Sequence, residues 1–422
     1  MSLAWSAYRI AAPLIGAAAP AARAFAPAAE RRLWGERMGR VDATGTVHAW
    51  IHAASLGEAM AVGPLVRELS DAQTGARFHL TASTGGGRAR LGELGHPYSL
   101  APLDAPQAIA RFMGTVRPRR LLLVETELWP HWLLSARAAR VPVAVVSARL
   151  SPRSVPRYLR LGPEFGSLIA GLDAVLCQGA EDEVRWRALG APGERTAVVG
   201  NLKDDALPAP VLDVTEKRID ARTALGLDPG RPLLVLGSVR PGEMRTLARA
   251  WRRVPADLRA RWQVAAAPRH PHAAAELWRE AEAEGQRLVG GVGVPVGDAW
   301  RWDERLGILS DYYAAADVAV VGGTLGVYGG HNPLEPAARG AAVIVGPHHA
   351  SQADAVAALA AAGAARVVVG DAALAGALAS WLGDETARAA AGAAALAVVQ
   401  ARRGAARRAV ARLGGWGLWP AA

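Results

Sequence analysis

A glycine-rich stretch in the C-terminal half of the chain carries the pattern with the most specific chemistry. Gly322 and Gly323 follow an apolar run, a second glycine pair precedes residues 331–333, and Glu335 stands near the start of a short predicted helix. Glycines let the backbone approach a ligand, and a helix start offers N–H groups to an anion. The stretch is typical of a phosphate or sugar-nucleotide site, although the glycines alone fit an ordinary strand–helix turn equally well.

Carboxylates stand at the predicted ends of two further strands. Glu58 follows the run 47–54 across a short turn, and Glu125 and Glu127 follow the run 121–124. In open α/β sheets this edge is where ligands bind, so Glu58 is a candidate functional residue. The alternative is a residue that only favours the helix dipole. The two later carboxylates fit an acid/base pair, a metal site or a capping feature.

The elements that position these residues repeat along the chain. Apolar strand-like runs alternate with helical patterns in both halves, which predicts parallel sheets covered by helices. At 422 residues the chain is long for one core, so we expect two domains. The predicted segments are a membrane-associating segment at 1–40, Rossmann-like domains at 41–207 and 208–395, and a C-terminal helix at 396–422 that crosses back to the first domain.

The composition restricts the class of partner. A hydrophobic content of 51% with 20% charged residues predicts a folded protein. The net charge of +10 suits an anionic membrane or a phosphorylated substrate. We predict no nucleic-acid partner, because the sequence has no zinc-finger spacing, RNA-binding aromatic motif or concentrated basic run. The single cysteine, Cys177, cannot form an internal disulfide, which suits a reducing compartment.

The N-terminal segment combines apolar and basic residues. Residues 3–28 are Ala-rich with scattered large apolar groups, but Arg9 and Arg23 interrupt them, and the run between is short for a bilayer span. A basic, aromatic segment follows at 31–40, which suits the surface of a membrane leaflet. A signal peptide and an ordinary N-terminal helix are the alternatives.

Several strings, in order between about residues 31 and 350, resemble the Kdo transferases, which move 3-deoxy-D-manno-octulosonic acid (Kdo) from CMP-Kdo to lipid A precursors. They are HAASLGEAMAVGPL at 52–65, ETELWP at 125–130, SARLS at 147–151, PRHP at 268–271 and GGHNPLEPAA at 329–338. The chain departs from the family at four places: glycines 85 and 86 replace Pro and Thr, Ser147 replaces Asn, Arg240 replaces His, and Ile308 replaces Glu.

The resemblance implies an α/β fold of the GT-B type, with two Rossmann-like domains facing a central cleft and an N-terminal membrane-associated helix. It implies a metal-independent, cofactor-free, inverting transfer at the cytoplasmic face of the inner membrane, with Glu58 as the catalytic base. The implied acceptor residues are Ser55, Gly57, Ser83, Thr84, Glu125, Glu127 and Arg149. The implied donor residues are Lys203, Gly237, Ser238, Arg269, His270, Gly322, Gly323, Gly330, His331, Asn332 and Glu335.

Two other functions stay open at this point. A sugar-nucleotide epimerase shares the fold, although it does not explain the N-terminal apolar segment. A membrane-bound protein that binds lipid A precursor without catalysis would explain Ile308 and the altered turn at residues 85–86, but not Glu58.

Overall fold

The chain forms two compact units in a computed structural model. Unit 1 comprises Met1–Ala206 and Arg402–Ala422, and unit 2 comprises Leu207–Ala401. The structure describes residues 2–26, 28–42, 45–209, 214–291, 293–295 and 297–420. Each unit is built on one seven-stranded parallel sheet, as the alternating pattern predicts.

The sheet of unit 1 has the strand order β3-β2-β1-β4-β5-β6-β7. This order is that of the Rossmann fold with one strand added. The strands are β1 Ala49–His52, β2 Phe78–Ala82, β3 Tyr98–Leu100, β4 Leu121–Val124, β5 Val143–Ala148, β6 Ala174–Cys177 and β7 Thr196–Val198.

The sheet of unit 2 has the order β10-β11-β9-β8-β12-β13-β14. It again extends in two directions from adjacent central strands, here β8 and β12. The strands are β8 Leu233–Val239, β9 Gln263–Pro268, β10 Leu288–Val289, β11 Trp300–Trp302, β12 Val318–Val321, β13 Ala342–Val345 and β14 Ala365–Val367.

The central strands are buried on both faces, which is why they read as continuous Val, Leu and Ala runs. In unit 1, alternate side chains of β1 enter different cores. Ala49 and Ile51 join the core beneath α4 and α21, whereas Trp50 joins the core beneath α6, α7 and α9. The unit therefore has three layers. Its helices are α1 Leu3–Ala22, α2 Ala28–Arg31, α3 Trp34–Arg37, α4 Leu56–Ala72, α5 Gly85–Gly92, α6 Pro106–Val116, α7 Pro130–Ala138, α8 Ser154–Leu159, α9 Pro163–Ala170, α10 Ala180–Ala188, α11 Leu202–Asp205 and α21 Ala405–Gly415.

Unit 2 is layered in the same way around β8 and β12. Its helices are α12 Val214–Ala224, α13 Glu243–Arg253, α14 Ala256–Arg261, α15 Ala274–Ala283, α16 Leu309–Ala315, α17 Leu334–Ala337, α18 Ala353–Ala361, α19 Gly370–Gly383 and α20 Glu385–Arg402. Helix α20 ends where the chain re-enters unit 1. Short 3₁₀ turns lie at Arg23–Phe25, Gly193–Arg195, Pro271–Ala273 and Ala350–Gln352.

Helix α1 packs against unit 1 along one side. Trp5 is buried in the same core as α6 and α7, and the Tyr8 hydroxyl donates to the buried carboxylate of Asp104. The opposite side exposes Ile10 and Leu14. Within the described residues, no helix combines the length and the apolar character needed to cross a bilayer. The predicted N-terminal segment is thus part of the first unit and presents an apolar side outward.

We expect Trp5→Ala to lower the free energy of unfolding of unit 1 by about 3 kcal/mol, because it empties a buried site. Hydrogen exchange of the amides of β4 would measure this for unit 1 alone. Ile10→Ala on the same helix is the control, since that side chain is 67% exposed. Equal protection in both variants would show that α1 does not contribute to this core.

Candidate functional site

The predicted acceptor residues of unit 1 gather where the strand order reverses. Strands β1 and β4 are neighbours, but the chain leaves them in opposite directions along the sheet. Loops that separate in this way leave a crevice at the carboxyl edge of the sheet, and ligands of open α/β folds bind there. Glu58 follows β1, and Glu125 and Glu127 follow β4, so three carboxylates meet at this crevice.

Glu58 lies in the first turn of α4 and is half-buried. Its Oε2 accepts from the backbone N–H of Ala54 at 2.7 Å, and its Oε1 accepts from the Ser55 hydroxyl at 2.9 Å. Ser55 also accepts from the N–H of Glu58 and so caps the start of α4. Burial and the nearby carboxylates of Glu125 and Glu127 raise the pKa of Glu58 above its ordinary value. The exposed Gly57 beside it leaves the carboxylate open to a substrate.

Glu125 pairs with a cation and has an unusual backbone conformation. Its Oε1 lies 2.6 Å from the ammonium of Lys203, and its φ of 63° is rare for a residue other than glycine. Such conformations often occur at functional sites. We predicted Lys203 among the donor residues, and the structure places it in unit 1 beside the acceptor residues.

Glu127 belongs to a partly buried network of hydrogen-bonded side chains that the sequence did not predict. Its Oε2 accepts from the indole N–H of Trp129 at 2.8 Å and lies 3.3 Å from Nε2 of His52. His52 is fully buried, and its Nδ1 lies 2.9 Å from the Thr81 hydroxyl. The imidazole thereby fixes the position of Glu127. The signal in the sequence is His52, the first residue of the string at 52–65, in which only Ser55, Gly57 and Glu58 were assigned roles.

The other predicted acceptor residues surround these carboxylates in different ways. The Ser83 hydroxyl lies 3.5 Å from Nε2 of His52. Thr84 caps α5 by accepting from the N–H of Gly87 at 3.1 Å, so its hydroxyl stabilises the start of that helix. Arg149 is exposed where the chain leaves β5.

Ser147, where the family has Asn, also has a positive φ, of 55°. Asparagine tolerates this region better than serine does. Here the Ser147 hydroxyl accepts from the N–H of Leu202 at 3.2 Å and from the amide of Gln178 at 3.2 Å. These hydrogen bonds connect β5 to the helix that carries Lys203. They also explain how a serine can occupy this position with a positive φ.

The glycine-rich stretch of unit 2 lies at the corresponding reversal, between β8 and β12. A Cβ at position 322 would stand 2.3 Å from the backbone oxygen of Ser238, so only glycine fits there. Ser238 itself has a φ of 56°. The N–H of Gly322 donates to the backbone of Gly237, and that of Gly330 donates to Gly323. These glycines shape the loop, and their backbone hydrogen bonds hold it together internally.

A buried carboxylate takes the central place in this loop. Glu243 is 1% exposed and accepts from the N–H groups of Gly323, Leu325, Gly326 and Arg240, at 2.8 to 3.0 Å. It therefore holds the exit of β12 against the exit of β8. The sequence alone gives Glu243 no role, because three of its four partners lie about 80 positions away along the chain.

Two arginines lie near the remaining predicted donor residues: Arg240 and Arg269 near His331, and Arg269 near Glu335. Burial, together with the charges of Arg269 and Arg240 and with His270, lowers the pKa of His331 to about 4. Glu335 is exposed, yet desolvation by the surrounding protein raises its pKa, a combination that fits a carboxylate in a recess. The Asn332 side chain accepts from the N–H of Leu334 at 3.0 Å and so caps α17. Two arginines with few opposing charges make this edge favourable for an anion.

No described set of three or more His, Cys, Asp or Glu side chains converges as metal ligands would. Glu125 and Glu127, for which a metal site was an alternative, are instead engaged by Lys203 and by His52 with Trp129.

We expect Glu243→Ala to destabilise unit 2 by at least about 3 kcal/mol, because it leaves four N–H groups without their acceptor. Hydrogen exchange at Gly323, Leu325 and Gly326 should accelerate strongly. The matched control is Glu276→Ala on the exposed side of α15, which should change stability by no more than about 0.5 kcal/mol. Unchanged exchange in the Glu243 variant would contradict this role.

Solved structures with similar folds cover most of the chain. A glycosyltransferase from Rickettsia africae matches with a TM-score of 0.61 at 12% identity, covering 88% of this chain and 98% of that one. A UDP-GlcNAc 2-epimerase from Neisseria meningitidis matches with a TM-score of 0.60 at 14% identity, covering 87% and 99%. At such low identity these similarities show the fold alone, so epimerase activity does not follow from them.

The sequence comparisons are more specific. The family model described as 3-deoxy-D-manno-octulosonic-acid transferase (kdotransferase) matches residues 32–206. A 3-deoxy-D-manno-octulosonic acid transferase of Bordetella pertussis is 38% identical over 81% of this chain and 80% of its own length. That of Haemophilus influenzae is 31% identical over 71% and 70%. With the strands, switch points and motifs in the positions described, this chain belongs to the 3-deoxy-D-manno-octulosonic acid transferase family of glycosyltransferases.

Proposed function

We propose that this chain transfers Kdo from CMP-Kdo to a hydroxyl of a lipid A precursor, with Glu58 as the general base. The observation that carries the proposal is the placement of Glu58 at the switch point of unit 1. There it is accessible, is held by two hydrogen bonds, and has a pKa raised by burial and by Glu125. A raised pKa makes the ionised carboxylate a stronger base.

The proposed reaction is a single inverting displacement. The acceptor oxygen forms a bond to the anomeric carbon of Kdo as the bond from that carbon to the phosphate oxygen of CMP breaks. Glu58 takes the proton of the acceptor hydroxyl, and the electron pair of the broken bond leaves with CMP. Glu125 and Glu127 line the acceptor side, where Lys203 and His52 fix their positions.

Unit 2 is the proposed donor side. Arg269, the exposed guanidinium after β9, meets the phosphate or carboxylate of CMP-Kdo, since arginine binds either anion bidentately. Glu335 accepts hydrogen bonds from ribose hydroxyls, and His270 and His331 remain neutral donors beside the arginines. Gly237, Gly322, Gly323 and Gly330 shape the loop around the nucleotide.

The proposed location is the cytoplasmic face of the inner membrane. The exposed apolar residues of α1 and the basic segment at 31–40 suit a helix that lies on a leaflet. We expect the protein to sediment with membranes through this part of unit 1.

We expect Glu58→Gln to lower the transfer rate by roughly 10²–10⁴-fold, because the variant lacks the base. Glutamine retains the size of the side chain and an oxygen that can accept from Ala54, so thermal stability and CMP binding should stay near wild type. A coupled assay of CMP release with purified substrates measures the rate.

The matched control is Glu68→Gln on the same helix, which should keep the wild-type rate. If Glu58→Gln transfers Kdo at full rate, Glu58 is only a capping residue. If the wild-type protein binds lipid A precursor tightly but transfers nothing, the chain is a binding protein and not a transferase.

The pH dependence tests the coupling between carboxylates. Because the base must be ionised, kcat/KM should fall as the pH drops through the pKa of Glu58, which lies above the ordinary value of 4.5. Glu125→Gln removes a nearby negative charge, so the acid limb should move to lower pH. Glu127→Gln should move it less, because Glu127 raises the pKa of Glu58 less than Glu125 does. Glu93→Gln is the control, and a limb that stays in place in the Glu125 variant would contradict the coupling.

We expect Arg269→Ala and Glu335→Ala each to weaken CMP binding by roughly 1.5–3 kcal/mol, the usual value of a hydrogen bond to a charged group. Isothermal titration calorimetry measures it directly. Arg279→Ala on α15, also exposed in unit 2, should leave the affinity unchanged. If both variants bind CMP with wild-type affinity, Arg269 and Glu335 do not belong to the donor site.

A further inference from the structure

A groove in unit 1 lies outside the predicted acceptor site. Its volume is about 520 Å³, which is within the range of small-molecule sites, and it runs between α1, the segment 31–40 and α6. Its apolar wall includes Ala17, Pro20, Trp34 and Met38. Its polar wall consists largely of arginines, namely Arg23, Arg31, Arg32, Arg40 and Arg111.

Among the described residues, none that lines the groove carries a carboxylate, and the nearby Glu30 and Glu36 pair elsewhere. Glu30 pairs with Arg37 at 3.7 Å, and Glu36 binds Arg88 at 2.6 Å. The guanidinium groups of Arg32 and Arg40 make no hydrogen bond or ion pair with the described parts of the chain. Cations gathered in this way repel one another, so a bound anion would stabilise them.

The walls of the groove are fixed by the fold. Helices α1 and α6 meet so closely that a Cβ at Gly16 would lie 2.8 Å from the Cβ of Ala105. The indole N–H of Trp34 donates to the backbone of Ala19 at 2.9 Å, which joins α3 to α1. Arg111 donates to the backbone oxygen of Met38 at 3.2 Å. The groove is therefore formed before any ligand arrives.

An apolar surface continues from the groove along α1. Ile10, Leu14 and Ile15 are each more than half exposed, and Phe25 is almost completely exposed just beyond the helix. A cationic groove beside an exposed apolar helix side matches a ligand with a phosphate at one end and hydrocarbon at the other.

We propose that this groove binds the phosphate headgroup of an anionic phospholipid, with the exposed side chains of α1 lying among its acyl chains. The site goes beyond the proposed transfer reaction and does not depend on it. Helix α3 separates the groove from the acceptor residues, since Trp34 and Gly35 line the groove while Arg37 donates to the backbone oxygen of Ser83. A lipid bound here would hold unit 1 to the leaflet with the acceptor edge beside it.

The test uses the full chain and dihexanoyl phosphatidylglycerol below its micelle concentration, so that diffuse attraction to a charged surface plays no part. Calorimetry should show saturable binding at one site, and dihexanoyl phosphatidylcholine should not bind. The double variant Arg32→Gln/Arg40→Gln should lose affinity by at least roughly tenfold, the effect of losing one hydrogen bond to a charged group. Neither guanidinium has a hydrogen-bond or ion-pair partner among the described residues, so the fold should be unaffected.

The control is Arg67→Gln/Arg412→Gln, which removes the same charge from α4 and α21 on the opposite face of the sheet. It should bind the lipid like wild type, and so should Glu58→Gln, which separates this site from catalysis. Equal losses in the two double variants would overturn the proposal in favour of diffuse attraction. Saturation of the groove by a soluble lipid A precursor analogue, with no binding of phosphatidylglycerol, would assign it to the acceptor instead.

Discussion

The reversal of strand order in each parallel sheet is the constraint on which the rest of the structure depends. Where β1 meets β4, and again where β8 meets β12, the chain leaves neighbouring strands in opposite directions. The loops at these points separate and leave a crevice at the carboxyl edge. Glu58, Glu125 and Glu127 gather at the first reversal, and the glycine-rich loop with Arg269 lies at the second. The polar groups meet because the sheets are wound in this order, although they are far apart in sequence.

Buried carboxylates then hold the loops that the reversals create. Glu243 binds the exits of β8 and β12 together through four backbone N–H groups. Glu58 holds the turn after β1 in a similar way, but it is only half-buried, and this burial together with the nearby carboxylates raises its pKa. The same kind of group is structural in one unit and proposed as catalytic in the other. The difference lies in exposure: Glu243 is 1% exposed, whereas Glu58 is half-buried.

The sequence predicted the strands and other features that depend on residues close together along the chain. The runs 121–124 and 318–321 are the strands β4 and β12 with the same bounds, because both are buried on two faces and contain only apolar residues. It did not predict the partners of Lys203, His52 or Glu243, since each contact joins residues about 75 to 80 positions apart. It also treated the N-terminal segment as separable, whereas burial of Trp5 makes α1 part of unit 1. Pairings of this kind depend on the three-dimensional arrangement, which local periodicity does not encode.

The most direct test of the account is the chemical identity of the product. The purified chain would be incubated with CMP-Kdo and a lipid A precursor, and the lipid analysed by mass spectrometry alongside the released nucleotide. The account predicts a lipid that carries added Kdo in a glycosidic bond, with one CMP released for each Kdo transferred. Unchanged lipid with CMP-Kdo left intact, or lipid that is bound but never modified, would contradict it.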